Sequence, residues 1–343
     1  MSTPEFGFSV TPGPADGVAA ESAEAEAFGY DRIGIWDSPA LFRDPWVTLA
    51  AVASATERAA IGPWVTNPLS RHPVVTAAAA ASVDDLAPGR TYIGIGSGGT
   101  GVWHLGLRTA SLARLEDYVL AVRRLLEDGT AEWDGETVRL EWAKRSIPII
   151  LSAHGPQSLR LAGRIADGVV AGLGVTPEVV RGCLELVAEG AREAGRSPKD
   201  VKVWFTCFWF VDEEPGVAAA QGAWAATAFA LHFARSGVDG KFVPEEHREA
   251  VVELGNAYDL VTHGAVSPAE QERYAELADR LGIGAYLRSR FVFAGTPDEV
   301  EAQIRAAMDA GARRFDGAID ADLPEHRERI AKWAQLVLPR FSA

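Results

Sequence analysis

Residues 147–169, IPIILSAHGPQSLRLAGRIADGV, hold a strand, a loop, a short helix and the start of a second strand within 23 positions. The first five residues are continuously apolar, which is typical of a parallel strand covered on both faces. Pro156 and the amphipathic pattern after it predict that a helix begins there. The free N–H groups of its first turn would face the strand end and suit an anion, most commonly phosphate. On this segment alone, an ordinary strand-to-helix turn is the simpler interpretation.

The alternation of short apolar strands and Ala-rich helices continues almost from end to end, which indicates repeated βα units. Eight such units close most naturally into an α/β fold of the (β/α)8 barrel type, whose active site lies at the carboxyl ends of the strands. The eight predicted strands are residues 6–10, 32–36, 60–66, 91–96, 147–151, 168–171, 201–211 and 314–319.

Two insertions interrupt this repeat. Residues 130–140, TAEWDGETVRL, alternate around Asp134-Gly135 and predict a hairpin. Residues 236–290 hold polar helices and Gly-rich breaks, and we expect them to form a lid or wall near the seventh strand. No linker composition marks a boundary, and barrels of this type reach roughly 250 residues or more. Residues 1–343 are therefore predicted to form a single domain.

The charge balance limits the classes of partner. The chain has 343 residues and a net charge of −14, which argues against a nucleic-acid or anionic-membrane partner because phosphate binding relies on clustered Lys and Arg. Its most apolar stretch, residues 203–211, is much shorter than the roughly 20 residues of a membrane span. Two cysteines are too few for a disulfide framework, and no signal-peptide pattern opens the chain. We expect a cytoplasmic protein.

Polar and glycine-rich segments follow the predicted strands, where the active site of a barrel would lie. Asp37 follows the second strand and could either bind a ligand or cap a turn. Pro63 indicates a bulge of the kind that redirects side chains beside active sites, and Arg71 and His72 follow it in a polar loop. Glycines at alternate positions in residues 94–99 would leave room for a flat ligand.

Metal and hydrolase chemistry find little support in the sequence. His72, His104 and His154 follow three different strands without a closely spaced ligand pair or a matching carboxylate, so we predict no metal site. No Gly-x-Ser-x-Gly elbow follows a strand. The glycine spacing after the fourth strand also differs from that of a dinucleotide fingerprint.

Taken together, these strand ends resemble those of the luciferase-like family of flavin- and deazaflavin-dependent oxidoreductases, over most of the chain. The segment Gly-Pro-x-Val-Thr-Asn-Pro-x-x-Arg-His-Pro at residues 62–73 looks most like the methylenetetrahydromethanopterin reductase branch, whose members use coenzyme F-420. The resemblance implies a luciferase-like barrel, coenzyme F-420 as the favoured cofactor or else FMN, and a homodimer. Its other carriers are Trp36-Asp37 and residues 94–99, 152–162, 166–168, 295–300 and 310–312.

The resemblance also implies roles for individual residues. A bulge in the third strand, often with a non-proline cis peptide, would support the cofactor ring, and the bond expected in this chain is Trp64–Val65 or its neighbour. Thr66 and Asn67 would lie near the ring and its polar edge. The other implied cofactor-binding residues are Gly96, Ser97 and Gly98 for the tail and Ala153, His154, Gly155 and Pro156 for the phosphate.

One position departs from the family pattern. Many relatives that use F-420 place a His directly after the Asp of the second strand, whereas this chain has Ser38. Proton transfer must then come from another group, and the predicted catalytic residues are Asp37 and His72, with a group of the substrate as the remaining option.

The leading hypothesis is an oxidoreductase that transfers a hydride between F-420 or FMN and a small organic substrate, with the cofactor supplying the chemistry. One alternative is an FMN-dependent monooxygenase that uses reduced flavin and oxygen. A separate flavin or F-420 reductase would then be a partner that supplies reduced cofactor. A catalytically silent flavin-binding protein is the second alternative, and a hydrolase on the same barrel is disfavoured.

Overall fold

The computed structural model describes residues 3–222, 224–259, 266–318 and 323–342. Most of its strands are short, apolar and buried, as expected for a sheet covered on both faces. In chain order the strands are β1 (Glu5–Val10), β2 (Arg32–Ile35), β3 (Ala60–Pro63), β4 (Ile93–Ile95), β5 (Thr130–Trp133), β6 (Glu136–Arg139), β7 (Ile149–Ala153), β8 (Gly168–Ala171), β9 (Lys202–Val211), β10 (Val292–Gly295) and β11 (Arg314–Ala318).

Helices follow most of the barrel strands and pack on the outside of the sheet. Several begin with a capping Asp, Ser or Thr followed by Pro, the arrangement that the sequence favours at helix starts. The helices are α1 (Ala15–Phe28), α2 (Pro45–Ala55), α3 (Pro73–Leu86), α4 (Thr100–Trp103), α5 (Leu112–Glu127), α6 (Pro156–Ile165), α7 (Pro177–Glu193), α8 (Val217–Gln221), α9 (Thr227–Ser236), α10 (Arg248–Ala257), α11 (Pro268–Arg280), α12 (Gly284–Phe291), α13 (Pro297–Asp309) and α14 (Leu323–Leu336).

The main sheet is parallel and nearly closed into a barrel. Its strands pair in the order β3-β2-β1-β11-β9-β8-β7-β4, and β10 pairs with the carboxyl half of β9. Isolated bridges from Ile61 to Thr91 and from Thr66 to Ile95 bring the two ends of this order together. The predicted (β/α)8 barrel of the α/β class is confirmed. Each predicted strand overlaps an observed one, and Ile319, the last residue of the eighth prediction, lies outside the described residues.

Several strand boundaries differ from the prediction by one to three residues, and two of them lie beside a proline. The third strand ends at Pro63 rather than at Thr66, because the chain beyond it leaves β2 and turns toward β4: the Thr66 N–H donates to Gly94 O at 2.9 Å. The fifth predicted strand begins at Ile149 rather than at Ile147, after Pro148, which has no N–H to pair.

The two inserted segments are regular structure. Strands β5 and β6 pair antiparallel around Asp134 and Gly135, both at positive φ (52° and 84°), as a tight hairpin turn requires. Helices α8 to α12 lie between β9 and β10, so the helical segment begins before the expected boundary at residue 236. Of the helices in the described part of the chain, none has both the length and the apolar character that crossing a membrane requires.

A buried cation organises the inside of the barrel. The Arg32 guanidinium carbon lies 3.4 Å from the centroid of the Trp64 ring and 4.2 Å from that of Trp204. Arg32 forms an ion pair with Asp316, and both side chains are almost fully buried. Tyr92 accepts a hydrogen bond from Arg32 at 3.1 Å. We call Arg32, Trp64, Trp204 and Asp316 the Arg32 layer; it joins β2, β9, β11 and the chain beyond β3.

The Arg32 layer predicts a large asymmetry between buried and exposed ion pairs. Asp316→Ala leaves the Arg32 charge buried without its carboxylate, so we expect the free energy of unfolding in urea to fall by about 3–5 kcal/mol. Glu185→Ala removes the carboxylate of the exposed Arg192–Glu185 pair, whose atoms lie 2.8 Å apart, and we expect a loss of at most about 1 kcal/mol. Similar small losses for both variants would show that the layer does not hold the barrel together.

Candidate functional site

A cavity of about 1090 Å³ lies at the carboxyl ends of the strands. Its lining residues follow β2, β3, β4 and β7, and helix α9 with the loop after it forms the remaining wall. Ligand pockets usually enclose roughly 300 to 1,000 Å³, so the cavity has room for a cofactor together with a small substrate. Within the ranges described, no group of three or more His, Cys, Asp or Glu side chains is placed to hold a metal ion.

Most of the residues singled out from the sequence are brought together in this cavity. Thr66 and Ala153 are buried behind the lining: Thr66 lies 3.5 Å from an Arg71 nitrogen, and Ala153 belongs to the hydrophobic core. The predicted residues that line the cavity are Asp37, Trp64, Val65, Asn67, Gly96, Ser97, Gly98, His154, Gly155 and Pro156.

His72 lies outside the cavity. Its Nδ1 accepts a hydrogen bond from the Val74 N–H at 3.3 Å, so the side chain caps α3. The edge of its exposed ring meets Trp133 of the hairpin, with 6.1 Å between the ring centroids. The position of His72 therefore does not support the expected acid–base role. His72 acts as the cap of α3, which was the alternative interpretation.

The bulge after β3 is present, and the Trp64–Val65 peptide bond is cis, which confirms that expectation. The neighbouring β4 carries Gly94, where a Cβ atom would lie 2.2 Å from Pro63 O. Gly94 therefore makes room for the bulged backbone and not for a ligand. The glycines that follow it, Gly96, Gly98 and Gly99, line the cavity.

Asp37 carries a buried carboxylate beside the cavity. One oxygen forms an ion pair with Arg71, which also contacts Asp44 at 2.8 Å. The other, Oδ1, is buried and accepts no hydrogen bond within the described chain. Burial raises the pKa of Asp37, and the charge of Arg71 opposes that rise. Buried polar atoms nearly always have a partner, so Oδ1 is an exception, and the Asp37 side chain as a whole has no exposed surface.

Ser38 and Thr100 form a second polar feature of the same wall. Their hydroxyl oxygens lie 3.0 Å apart, and both residues line the cavity. At Ser38, where the family resemblance led us to expect a His, the chain therefore presents a hydroxyl pair in place of an ionisable ring. Hydroxyls can donate and accept hydrogen bonds, which suits the binding of a substrate oxygen.

The first turn of α6, which follows β7, also lines the cavity. Gly155 is the N-cap residue and Pro156 opens the helix. The His154 ring lies directly against Gly172, where a Cβ atom would be 2.2 Å from the His154 Cε1 atom. Burial, with a smaller contribution from the charge of Lys241, lowers the pKa of His154 to about 4. At ordinary pH the His154 ring is therefore neutral, and it lines the cavity beside the start of α6.

The cavity carries an excess of positive charge in an acidic protein. Four cationic side chains line it, of which Arg160 pairs with Glu189 at 2.7 Å. The carboxylates that line it are those of Asp37, which pairs with Arg71, and Asp239, which pairs with Arg248. An excess of one charge in a cleft attracts ligands of the opposite charge. The four cationic residues are Arg108, Arg160, Arg235 and Lys241.

Helix α9 supplies a wall that was not predicted from the sequence. His232, Arg235 and Ser236 all line the cavity, and the His232 ring packs on His154 with 4.8 Å between the ring centroids. These three residues are spaced i, i+3, i+4, which places them on one face of a helix. That spacing could have indicated a shared polar face from the sequence, but it does not show that the face contacts the cavity.

The low pKa of His154 predicts its behaviour in a pH titration. Its ring should remain neutral between pH 5 and 8, because protonation becomes favourable only near the folded pKa of about 4. We expect the ring ¹⁵N shifts of His154, assigned with a His154→Gln variant, to stay constant over this range. A titration midpoint near 6.5, the value of a free imidazole, would contradict the buried position.

Comparisons with known proteins agree with this architecture. The family model described as luciferase-like monooxygenase matches residues 2–314. The 5,10-methylenetetrahydromethanopterin reductase of Methanolobus tindarius is 27% identical over 90% of this chain and 92% of its own length. The F-420-dependent glucose-6-phosphate dehydrogenase of Nakamurella multipartita is 28% identical over 96% of this chain and 94% of its own.

A solved structure shows the likeness of fold. The coenzyme F-420-dependent tetrahydromethanopterin reductase of Methanopyrus kandleri superposes with a TM-score of 0.75 at 23% identity, over 99% of this chain and 100% of that one. The family model spans most of the chain, and both relatives align with nearly their whole length. The chain therefore belongs to the luciferase-like monooxygenase family and is an oxidoreductase of that family.

Proposed function

We propose that the protein transfers a hydride between coenzyme F-420 and a small organic substrate, with FMN as the alternative cofactor. The observation that carries the proposal is that one cavity is lined both by the bulge at Trp64–Val65 and by the first turn of α6. A molecule that joins a planar ring to a phosphate suits these two features. The two relatives, named as a methanopterin reductase and an F-420-dependent dehydrogenase, favour F-420 over FMN.

The lining residues suit the parts of such a cofactor. Trp64, Val65 and Asn67 would contact the ring, and Gly96 to Gly98 would leave space for the tail. The backbone N–H groups at the start of α6 would bind the phosphate. When bound, the cofactor supplies the hydride chemistry, and the protein positions the reactants and excludes water.

Acid–base assistance in this proposal comes from Asp37. Its Oδ1 is the buried oxygen without a partner in the described chain, and the residue lines the cavity. Arg71 holds the other oxygen and fixes the orientation of the carboxylate. Asp37 would hold or accept a proton from the substrate, while the Ser38–Thr100 hydroxyl pair would orient a substrate oxygen.

A second candidate function is an FMN-dependent monooxygenase, which the description of the matching family model favours. Such an enzyme would need a reductase partner to supply reduced flavin. A catalytically silent flavin-binding protein is the remaining alternative. We also propose that residues 1–343 act as one domain, as a homodimer in the cytoplasm.

Cofactor binding tests the proposal directly. Three tryptophans line the cavity, Trp36, Trp64 and Trp103, so a bound ring should quench the protein fluorescence. We expect saturable quenching by F-420, with FMN binding more weakly, followed by reduction of F-420 when an oxidisable substrate from a broad alcohol panel is added. Failure of both cofactors to bind would refute the proposal. Binding without turnover on any substrate would favour the silent alternative.

Two variants separate the acid–base candidates. Asp37→Asn keeps the shape of the side chain and removes its charge, and we expect kcat to fall by about 10²-fold or more, as for loss of a general acid or base. His72→Gln should cost only the stability of a helix cap, about 1 kcal/mol. Steady-state kinetics over pH 5 to 9 measures both effects. Loss of turnover in His72→Gln with retention in Asp37→Asn would reverse the assignment.

A further inference from the structure

Lys241 is a buried cation for which the described residues provide no carboxylate partner. The residue is 5% exposed, and it follows α9 in the segment between β9 and β10. The nearest acidic residue in sequence, Asp239, is exposed and pairs with Arg248 at 3.5 Å. Burying a charge without an opposite charge costs free energy, so the burial of Lys241 requires an explanation.

The hydrogen bonds of Lys241 leave one donor free in the described structure. The ammonium nitrogen donates to Ser236 Oγ at 2.6 Å and lies 3.3 Å from Ser236 O. An ammonium group has three N–H donors. The ring centroid of Phe233 is 5.5 Å from the nitrogen, and such a contact offsets only a small part of the desolvation. Lys241 also lines the cavity, so the remaining donor has a ligand space beside it.

Arg290 fixes the backbone that carries Lys241. This buried guanidinium donates to the carbonyl oxygens of Lys241, Phe242 and Leu173, the last two at 2.7 Å. The N–H groups of Arg290 therefore donate to neutral carbonyl oxygens, and Arg290 adds a second buried positive charge next to Lys241. Its charge and the desolvation of Lys241 both lower the pKa of Lys241, to about 8, with desolvation the larger cause. Lys241 lines the cavity and Arg290 lies behind it, so the positive charge of this wall favours an anion there.

Lys241 faces the first turn of α6. A Cβ atom built on Gly155, the N-cap residue, would lie 3.5 Å from the Cε atom of Lys241. The ten-residue helix α6 begins at Pro156, and the first N–H groups of a helix have no partner within it. The inserted segment thus places a cation directly opposite the helix terminus, although the two are more than 80 positions apart in the sequence.

We propose that Lys241 binds the cofactor phosphate together with the first turn of α6. The inference rests on the proposed function, because it assigns to the cofactor the anion that this site would take. Lys241 neutralises the phosphate, and the α6 backbone orients it. A phosphorylated substrate would offer the same chemistry, but the contact with Gly155 places Lys241 beside the start of α6, where the cofactor phosphate is proposed to bind.

A comparison of ligands with and without phosphate tests the proposal. The matched control is Lys199→Gln, which removes the same charge from an exposed residue outside the cavity. We expect Lys241→Gln to weaken FMN binding at least tenfold and riboflavin binding less than twofold, with Lys199→Gln changing neither. If the wild type binds only F-420, F-420 and its phosphate-free deazaflavin chromophore replace the two flavins.

Stability without ligand separates a binding role from a structural one. Because Lys241→Gln removes a buried charge that has no carboxylate partner, its Tm should equal or exceed that of the wild type. A lower Tm, or equal weakening of FMN and riboflavin, would contradict the proposal, since Lys241 would then support the fold or the shape of the cavity. Unchanged FMN binding would also overturn it.

Inorganic phosphate keeps the inference testable even if the proposed function fails. If the wild type binds no flavin or deazaflavin, the redox proposal is refuted, but phosphate should still raise its Tm through this site. The rise should be lost in Lys241→Gln and kept in Lys199→Gln. Phosphate protection that persists in Lys241→Gln would refute the site. A third outcome is that Lys241→Gln loses the protection by phosphate but keeps the wild-type ratio of FMN to riboflavin affinity. That result would assign the site to a substrate phosphate and refute the cofactor assignment.

Discussion

The position of Arg32 between Trp64 and Trp204 is the constraint on which the cavity depends. The ion pair with Asp316 fixes the guanidinium inside the barrel, and the two indole rings cover it. Trp64 also lines the cavity, so one ring contacts both the buried cation and the ligand space. Removing Asp316 or one of the two tryptophans would therefore change the shape of the cavity floor, because strands β2, β9 and β11 and the bulge after β3 all meet in the Arg32 layer.

The cavity wall carries two differently charged regions. Asp37, after β2, has a buried carboxylate oxygen with no hydrogen bond in the described chain, and Arg71 holds the other oxygen. Lys241 and the start of α6, after β7, present positive charge and backbone donors. A hydride-transfer enzyme needs both features: an anchor that places its cofactor, and a separate group that can manage a proton. In the proposed function, the residues after β7 would provide the first and Asp37 after β2 the second.

The sequence predicted the barrel because eight apolar segments alternate with helices, and each segment is a local signal. It also located the bulge, since Pro63 interrupts a strand and Trp64–Val65 lies in a specific motif. Contacts between distant segments were out of reach. Whether His72 would face the cavity or cap α3 depends on the hairpin that packs against it. Lys241 gave no local signal, because only folding brings it to Gly155.

A structure of the protein with F-420 bound tests the central claim most directly. We expect the deazaflavin ring against the Trp64–Val65 bulge and the phosphate at the first turn of α6, within hydrogen-bond distance of the Lys241 ammonium. A ring bound outside this cavity, or a phosphate directed away from α6 into solvent, would contradict that claim. The second result would leave the barrel and the Arg32 layer intact, but no ligand would then neutralise the buried charge of Lys241.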